Sequence, residues 1–116
     1  MTLVDTSVWI DHLRSGVDGL SELLEAGEVL VHSFVIGELA CGHLPDRART
    51  LDLLRLLPAT PVADEDEILH FIDQRGLDGR GVGYVDVHLL ASARLAGAQL
   101  WTRDRALSKV YSELRG

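Results

Sequence analysis

Residues 2–9 read T-L-V-D-T-S-V-W, and this stretch sets the expected fold. The run Thr2–Asp5 is short and apolar up to its final carboxylate, which predicts a buried strand. Thr6 and Ser7 favour a helix start, so a helix is expected near Val8–Arg14. A strand that leads directly into a helix is the unit from which parallel α/β sheets are built.

The rest of the chain repeats this alternation of strand and helix patterns. Further strands are predicted at Glu28–His32 and Gln99–Thr102, with a weaker extended segment at Thr60–Val62. Apolar spacing predicts helices around Leu20–Leu24, over Val35–Cys41 with Ser33 as its cap, and over Asp46–Leu57, Asp64–Arg75, Tyr84–Leu95 and Arg105–Leu114. The glycine-rich segment Gly76–Gly83 is expected to be a surface loop. These elements predict a three-layer α/β/α sandwich with a short parallel sheet, formed by one domain over residues 1–116.

Composition limits the class of protein. Of 116 residues, 47% are hydrophobic, which excludes a disordered chain. The single Cys41 cannot form an internal disulfide, and no run approaches the roughly 20 apolar residues of a membrane span. We therefore expect a cytoplasmic protein with no membrane attachment. The net charge of −7 argues against a protein that holds nucleic acid by charge alone, but it does not exclude a nuclease that binds metal.

Four acidic residues lie where a short apolar run ends or a helix begins: Asp5, Glu38, Asp86 and Asp104. In parallel α/β sheets, ligands bind beyond the carboxyl ends of the strands, so these positions have a plausible common location. Neighbouring carboxylates raise one another's pKa unless a cation relieves the repulsion. Oxygen ligands suit Mg²⁺ or Mn²⁺. The pattern therefore indicates metal-dependent phosphoryl chemistry.

Helix capping is the competing explanation for these acids. Asp is a preferred N-cap, so each of the three aspartates has a purely structural explanation. That explanation is weaker for Asp5, because Thr6 and Ser7 already supply capping hydroxyls. It does not account for Glu38, which is not three residues after Ser33 as a capping box requires.

Other chemistries have less support in the sequence. The five histidines show no metal-ligand spacing and are interpreted as surface or hydrogen-bonded core residues, so a zinc site is not expected. Ser7 lacks the G-x-S-x-G context of a nucleophile elbow, and Cys41 has no basic neighbour to activate it. The glycines of residues 76–83 do not form a phosphate-binding loop. Catalysis by a nucleophilic side chain is therefore the wrong class.

Four ordered motifs resemble a known family. They are V-D-T-S-V-W-I at residues 4–10, V-I-G-E-L at 35–39, G-V-G-Y-V-D-V-H-L-L-A-S-A at 81–93 and L-W-T-R-D at 100–104. Together they resemble the PIN-domain ribonucleases and, more narrowly, the VapC toxins of bacterial toxin–antitoxin pairs. The resemblance runs from Leu3 to about Leu107. D-T-S alone is a weak motif, whereas the ordered set of four is specific.

The resemblance implies an endoribonuclease that uses Mg²⁺ or Mn²⁺ and leaves 5′-phosphate and 3′-hydroxyl ends. It assigns the catalytic, metal-holding acids as Asp5, Glu38, Asp86 and Asp104. Because short carboxylates hold a metal ion with less freedom, our hypothesis is that the three aspartates are the direct ligands. Glu38 would bind a second metal ion or orient the attacking water. Ser7 and Thr102 would support the ligands through hydrogen bonds. A small cognate antitoxin protein and a homodimer are the implied partners, beside the RNA substrate.

Two alternatives stay open at the level of sequence. A receiver-type signalling module also binds Mg²⁺ with acids at strand ends, but it needs an acidic pair after the first strand. A PIN fold that only binds its partner, without turnover, is the second alternative. Many relatives also continue into another strand beyond the position of Gly116, so a sheet without that C-terminal strand is one of the forms expected.

Overall fold

The structure, a computed structural model, describes residues 1–115. In that range three strands form one parallel sheet in the order β2-β1-β3: β1 (Thr2–Val4), β2 (Val29–Leu30) and β3 (Gln99–Trp101). Leu3 of β1 pairs with Leu30 on one side and with Leu100 on the other. The short parallel sheet predicted from the sequence is confirmed.

Seven helices surround the sheet within residues 1–115: α1 (Thr6–Ser15), α2 (Asp18–Glu25), α3 (Ser33–Ala40), α4 (Arg47–Arg55), α5 (Glu65–Arg75), α6 (Tyr84–Ala96) and α7 (Arg105–Arg115). Leu3 and Val4 are adjacent in β1 and point to opposite faces of the sheet, yet both are completely buried. Helices therefore cover both faces, which agrees with the predicted three-layer α/β/α sandwich. Among residues 1–115 no helix has the length and apolar character needed to cross a bilayer.

The ends of several elements differ from the predicted ones. β1 ends at Val4, because Asp5 caps α1 instead of extending the strand. The extended segment near Pro61 lies beside β2, where Ala59 forms a parallel bridge with Val31. The cap of α3 is His32 and not Ser33 as predicted, because the His32 Nδ1 accepts the backbone N–H of Phe34 at 2.9 Å. α7 extends to Arg115, the last residue that the structure describes.

The connections bring four helix N-termini to one edge of the sheet. β1 leads directly into α1, β2 into α3 and β3 into α7, so these three helices begin at the carboxyl edge. α6 ends at Ala96, and its C-cap Gly97 has the left-handed backbone (φ 62°) that favours glycine before the chain enters β3. α6 therefore runs opposite to the strands, and its N-terminus also points to the carboxyl edge.

Candidate active site

Asp5 is the most buried of the four predicted acids, with 5% of its surface exposed. It follows β1 and caps α1. Its Oδ2 accepts the Ser7 hydroxyl at 2.6 Å, the Thr102 hydroxyl at 2.8 Å and the Ser7 backbone N–H at 3.3 Å. The sequence suggested that Thr6 and Ser7 would supply the cap of α1. Instead the Asp5 carboxylate caps the helix, and the Ser7 hydroxyl donates to that carboxylate.

Ser7 and Thr102 link the carboxyl end of β1 to that of β3 through hydrogen bonds. The backbone N–H of Arg103 donates to the Ser7 Oγ at 2.9 Å, and that of Asp104 donates to the Thr102 Oγ1 at 3.0 Å. The two hydroxyl oxygens are 3.4 Å apart. Each hydroxyl thus accepts one backbone N–H from the β3–α7 connection and donates to Asp5. This network fixes the orientation of the Asp5 carboxylate.

Asp86 and Asp104 both bond to the start of a helix. The Asp86 Oδ2 accepts the backbone N–H of Gly83 at 3.0 Å, in the first turn of α6. The Asp104 Oδ1 accepts the backbone N–H of Leu107 at 2.9 Å, at the start of α7. The N-cap explanation therefore fits one oxygen of Asp104, whereas Asp86 is the third residue of α6 and bonds back to the N-cap Gly83.

Glu38 has a partner that sequence reasoning did not find. The Thr6 hydroxyl, in the first turn of α1, donates to the Glu38 Oε1 at 2.7 Å. The two residues are 32 positions apart, so no local pattern links them. The bond joins the C-terminal half of α3 to the start of α1 and holds an otherwise exposed carboxylate near the end of β1.

Each of the four carboxylates has one oxygen engaged by the fold and one that is free. The engaged oxygens are Oδ2 of Asp5, Oε1 of Glu38, Oδ2 of Asp86 and Oδ1 of Asp104. Among residues 1–115, no group donates a hydrogen bond to the second oxygen of any of them. The engaged oxygen holds the side chain in place while the other remains available to a ligand.

The electrostatics of Asp86 link the four acids. The pKa of Asp86 is raised above its ordinary value, chiefly by burial of the carboxyl group. The hydrogen bond from Gly83 opposes this shift, whereas the negative charges of Asp5, Asp104 and Glu38 raise the pKa further. All three acids are therefore close enough for their charges to act on Asp86. We call these four residues the acidic quartet.

The donor chemistry of the acidic quartet suits a hard divalent cation, because its free atoms are all carboxylate oxygens. As the side chains stand, no three Asp, Glu, His or Cys residues in the described part of the chain form a ready metal-binding group. Glu38 and Asp104 are exposed and Asp86 is half-buried, so these carboxylates are open to solvent. The donor types of the acidic quartet fit a hard divalent cation.

Two histidines depart from the sequence interpretation. His32 and His88 are buried, and their rings are 5.9 Å apart between centroids. Within residues 1–115, the His32 Nε2 and both ring nitrogens of His88 have no hydrogen-bond partner. The prediction of surface or hydrogen-bonded histidines is therefore wrong for His88 and holds for one ring nitrogen of His32. Burial, and secondarily the nearby His88, lower the pKa of His32 to about 4.

A cavity of about 470 Å³ lies beside the quartet, between α1 and the C-terminal part of α3. Its walls are mainly apolar, with Ile10, Leu13 and Leu39 among them. Glu38 and Arg14 are polar residues of the same wall. Of the four acids, Glu38 is the one that lines this cavity.

Two ion pairs that share Asp11 of α1 were not predicted from the sequence. The Asp11 Oδ2 accepts the Arg103 Nη1 at 2.6 Å, and its Oδ1 accepts the Arg14 Nη2 at 3.0 Å. The spacing of Asp11 and Arg14 on one helix was a possible clue. Arg103 is 92 positions from Asp11, and only the fold brings them together.

Three comparisons bear on this site. A family model described as PIN domain matches residues 2–113. Ribonuclease VapC32 of Mycobacterium tuberculosis strain H37Rv is 49% identical over 114 residues, which cover 97% of this chain and 92% of that protein. Its counterpart in strain CDC 1551 / Oshkosh gives the same figures. The crystal structure of PAE2754 from Pyrobaculum aerophilum superposes with a TM-score of 0.67 at 17% identity, covering 94% of this chain and 83% of that one, which indicates a shared fold.

Proposed function

The chain belongs to the PIN-domain family and, within it, to the VapC toxins, and from this premise we propose that it is a metal-dependent endoribonuclease. The observation that supports this most strongly is the acidic quartet at the carboxyl edge of the sheet. Each of its carboxylates has one oxygen held by the fold and one free among the described residues. The name of the relatives, ribonuclease, indicates RNA as the substrate.

In this proposal Asp5, Asp86 and Asp104 hold Mg²⁺ or Mn²⁺ through their free oxygens. Their short side chains restrict the position of an ion more than a glutamate does. Glu38, on a longer side chain, holds a second ion or orients the attacking water. When bound, the cation supplies Lewis acidity that favours ionisation of water and neutralises charge on the phosphate.

The surrounding residues determine where the free oxygens lie. Ser7 and Thr102 donate to the same oxygen of Asp5, so its other oxygen is kept in one direction. The backbone N–H groups of Gly83 and Leu107 do the same for Asp86 and Asp104. An ordered set of oxygens is needed for in-line attack on a phosphodiester, which would leave 5′-phosphate and 3′-hydroxyl ends.

The proposal includes the biological setting of the family. We infer that the chain is the toxin of a toxin–antitoxin pair, acts in the cytoplasm as a homodimer, and is inhibited by a small cognate antitoxin. Membership of the VapC family supports this setting. A short reading frame for a DNA-binding protein next to the gene would favour a toxin over a solitary nuclease.

Two alternatives to a ribonuclease were a receiver-type signalling module and a PIN fold without turnover. The receiver-type module is set aside, because the PIN-domain match covers residues 2–113. A PIN fold that binds without turnover is not favoured by any observation, and an activity assay separates it from the nuclease.

The test of the proposal is cleavage of total bacterial RNA by the purified protein with Mg²⁺ or Mn²⁺. Asp5→Asn removes the charge while keeping the shape, as does Asp86→Asn, and each should lower the rate about 100-fold or more. EDTA should abolish cleavage. Asp64→Asn is the matched control, because Asp64 caps α5 and should tolerate the same charge change. Wild-type rates in either site variant, or in EDTA, would refute the mechanism.

A further inference from the structure

Two arginines share one aspartate next to the acidic quartet. Asp11 accepts Arg103 at 2.6 Å with one carboxylate oxygen and Arg14 at 3.0 Å with the other. The side chain of Arg14 is 74% exposed and that of Arg103 is 46% exposed, so both remain accessible from solvent. We call Asp11, Arg14 and Arg103 the arginine cluster.

The arginine cluster lies along α1, between two members of the quartet. Arg103 is flanked in sequence by Thr102 and Asp104, and its own backbone N–H donates to the Ser7 Oγ at 2.9 Å. Its side chain reaches back to Asp11, one and a half turns into α1. At the far end of the cluster, Arg14 lines the same cavity as Glu38. Positive charge thus extends from the Asp5 side of the site to the Glu38 side.

The charge of the arginine cluster is opposite to that of its surroundings. Two guanidinium groups against one carboxylate leave one positive charge, in a chain whose net charge is −7. An RNA backbone that approaches four carboxylates meets repulsion unless nearby cations offset it. Arg47 is engaged with the carbonyl oxygens of Ala40 and Gly42, and Arg80 with Glu113. The arginine cluster is therefore accessible positive charge that adjoins the site, together with the exposed Arg105 next to Asp104.

The chemistry of the guanidinium group suits phosphate. An arginine has five N–H donors in a planar fork, and Arg14 and Arg103 each use one nitrogen on Asp11. The remaining donors can bind phosphate oxygens, and arginine does so with two parallel hydrogen bonds. Asp11 limits the motion of both side chains, which lowers the entropy lost when RNA binds.

Resting on the proposed ribonuclease function, we propose that Arg103 and Arg14 bind the RNA phosphates that flank the cleaved bond. Asp11 is a positioning residue in this proposal: it holds both guanidinium groups at the rim of the acidic quartet and does not itself contact RNA.

The test is the salt dependence of RNA binding, measured by fluorescence anisotropy with a short single-stranded RNA of randomised sequence. EDTA is present to stop metal-dependent cleavage, and salt is varied between about 50 and 200 mM. Arg103→Ala and Arg14→Ala should each reduce the slope of log affinity against log salt by about 0.7, and the double variant by about twice that. Arg94→Ala is the matched control: it changes charge equally but lies in the last turn of α6, at the opposite end from Asp86. It should keep the wild-type slope.

Asp11→Asn separates RNA binding from a purely structural role. It keeps both arginine charges, so the salt slope should stay at or above the wild-type value while kcat/KM for cleavage falls. If the cluster only attaches α1 to the β3–α7 connection, Asp11→Asn and Arg103→Ala will lower the melting temperature and leave the slope unchanged. That result would overturn the inference.

The two proposals can fail separately. A wild-type protein that cleaves RNA with Mg²⁺, together with Arg103→Ala and Arg14→Ala variants whose slopes and KM values match those of Arg94→Ala, contradicts the arginine cluster alone. A wild-type protein that binds RNA but cuts none with either metal contradicts the ribonuclease proposal.

Discussion

At Asp104, one carboxylate oxygen accepts the backbone N–H of Leu107 at 2.9 Å, and the other accepts nothing from residues 1–115. Asp5 and Asp86 show the same division between their two oxygens. Capping and metal binding were competing explanations when only the sequence was considered. In the structure the bond to a helix start occupies one oxygen of each aspartate and leaves the other without a donor among residues 1–115, so a structural role does not exclude metal binding.

Substitution of Asp104 separates these two roles. Asp104→Asn keeps an oxygen acceptor for the cap but removes the charge, so the free energy of unfolding should change by less than about 0.5 kcal/mol while RNA cleavage is lost. Asp64→Ala should do the reverse: it removes the cap of α5, costs about 1 kcal/mol and leaves cleavage intact. Urea unfolding and a cleavage assay on both variants check this. An Asp104→Asn protein that cleaves RNA at the wild-type rate would show that Asp104 is only a cap.

The acids proposed for the site could be selected from the sequence, because each lies where an apolar run ends or a helix begins. The partners of the acidic side chains could not be predicted. Thr6 bonds to Glu38 across 32 positions, and Arg103 bonds to Asp11 across 92. Such contacts depend on how α1 packs against α3 and against the β3–α7 connection. That packing cannot be predicted from the local sequence.

At the scale of elements, the start of α3 shows where sequence rules fail. Ser33 is the better intrinsic cap, but His32 provides the acceptor for the Phe34 N–H. His32 is fully buried at the end of β2, and its unprotonated Nδ1 lies within bonding distance of that N–H. His32 caps α3 because the fold buries its ring next to the Phe34 N–H, and the local sequence does not determine that burial. The strands and the other helices begin and end within a few residues of their predicted positions.

The buried cap makes stability depend on pH. The folded pKa of His32 is about 4, against an ordinary value of 6.5, because burial and the nearby His88 disfavour the charged ring. Between these two values the unfolded chain binds a proton that the folded chain does not. The stabilisation is therefore complete above about pH 6.5 and is lost as pH falls toward 4, by up to about 3 kcal/mol.

Urea unfolding at a series of pH values measures this loss. His32→Asn keeps an acceptor at the cap but has no titrating ring, so its stability should vary less between pH 6.5 and 4 than that of the wild type. Both proteins should show a similar pH dependence above that range. Parallel stability curves across the whole range would contradict a neutral, buried His32.

At the scale of the whole molecule, alternation of strands and helices was sufficient to predict a short parallel sheet covered on both faces. Leu3 and Val4 are an example, because two consecutive buried residues of a strand point to opposite faces of the sheet and both faces must then be covered by helices. The four ordered motifs were sufficient for the family. The arrangement of charge was not predictable, because it depends on which distant side chains the fold brings to one edge.

The charge distribution of the protein affects the binding of the negatively charged RNA backbone. The chain carries a net charge of −7, and its acidic quartet lies at the edge where the helices α1, α3, α6 and α7 begin. The positive N-terminal ends of helices and the arginine cluster partly offset that charge. A bound divalent cation would offset more of it, so metal and RNA should support each other's binding.

The most direct test of the acidic quartet is anomalous diffraction from crystals grown with Mn²⁺. We expect an anomalous peak in contact with the free oxygens of Asp5, Asp86 and Asp104, with the Ser7 and Thr102 hydroxyls still bonded to the other oxygen of Asp5. A peak bound elsewhere on the protein, or no peak at a Mn²⁺ concentration that supports RNA cleavage, would contradict the assignment of these carboxylates as the metal site.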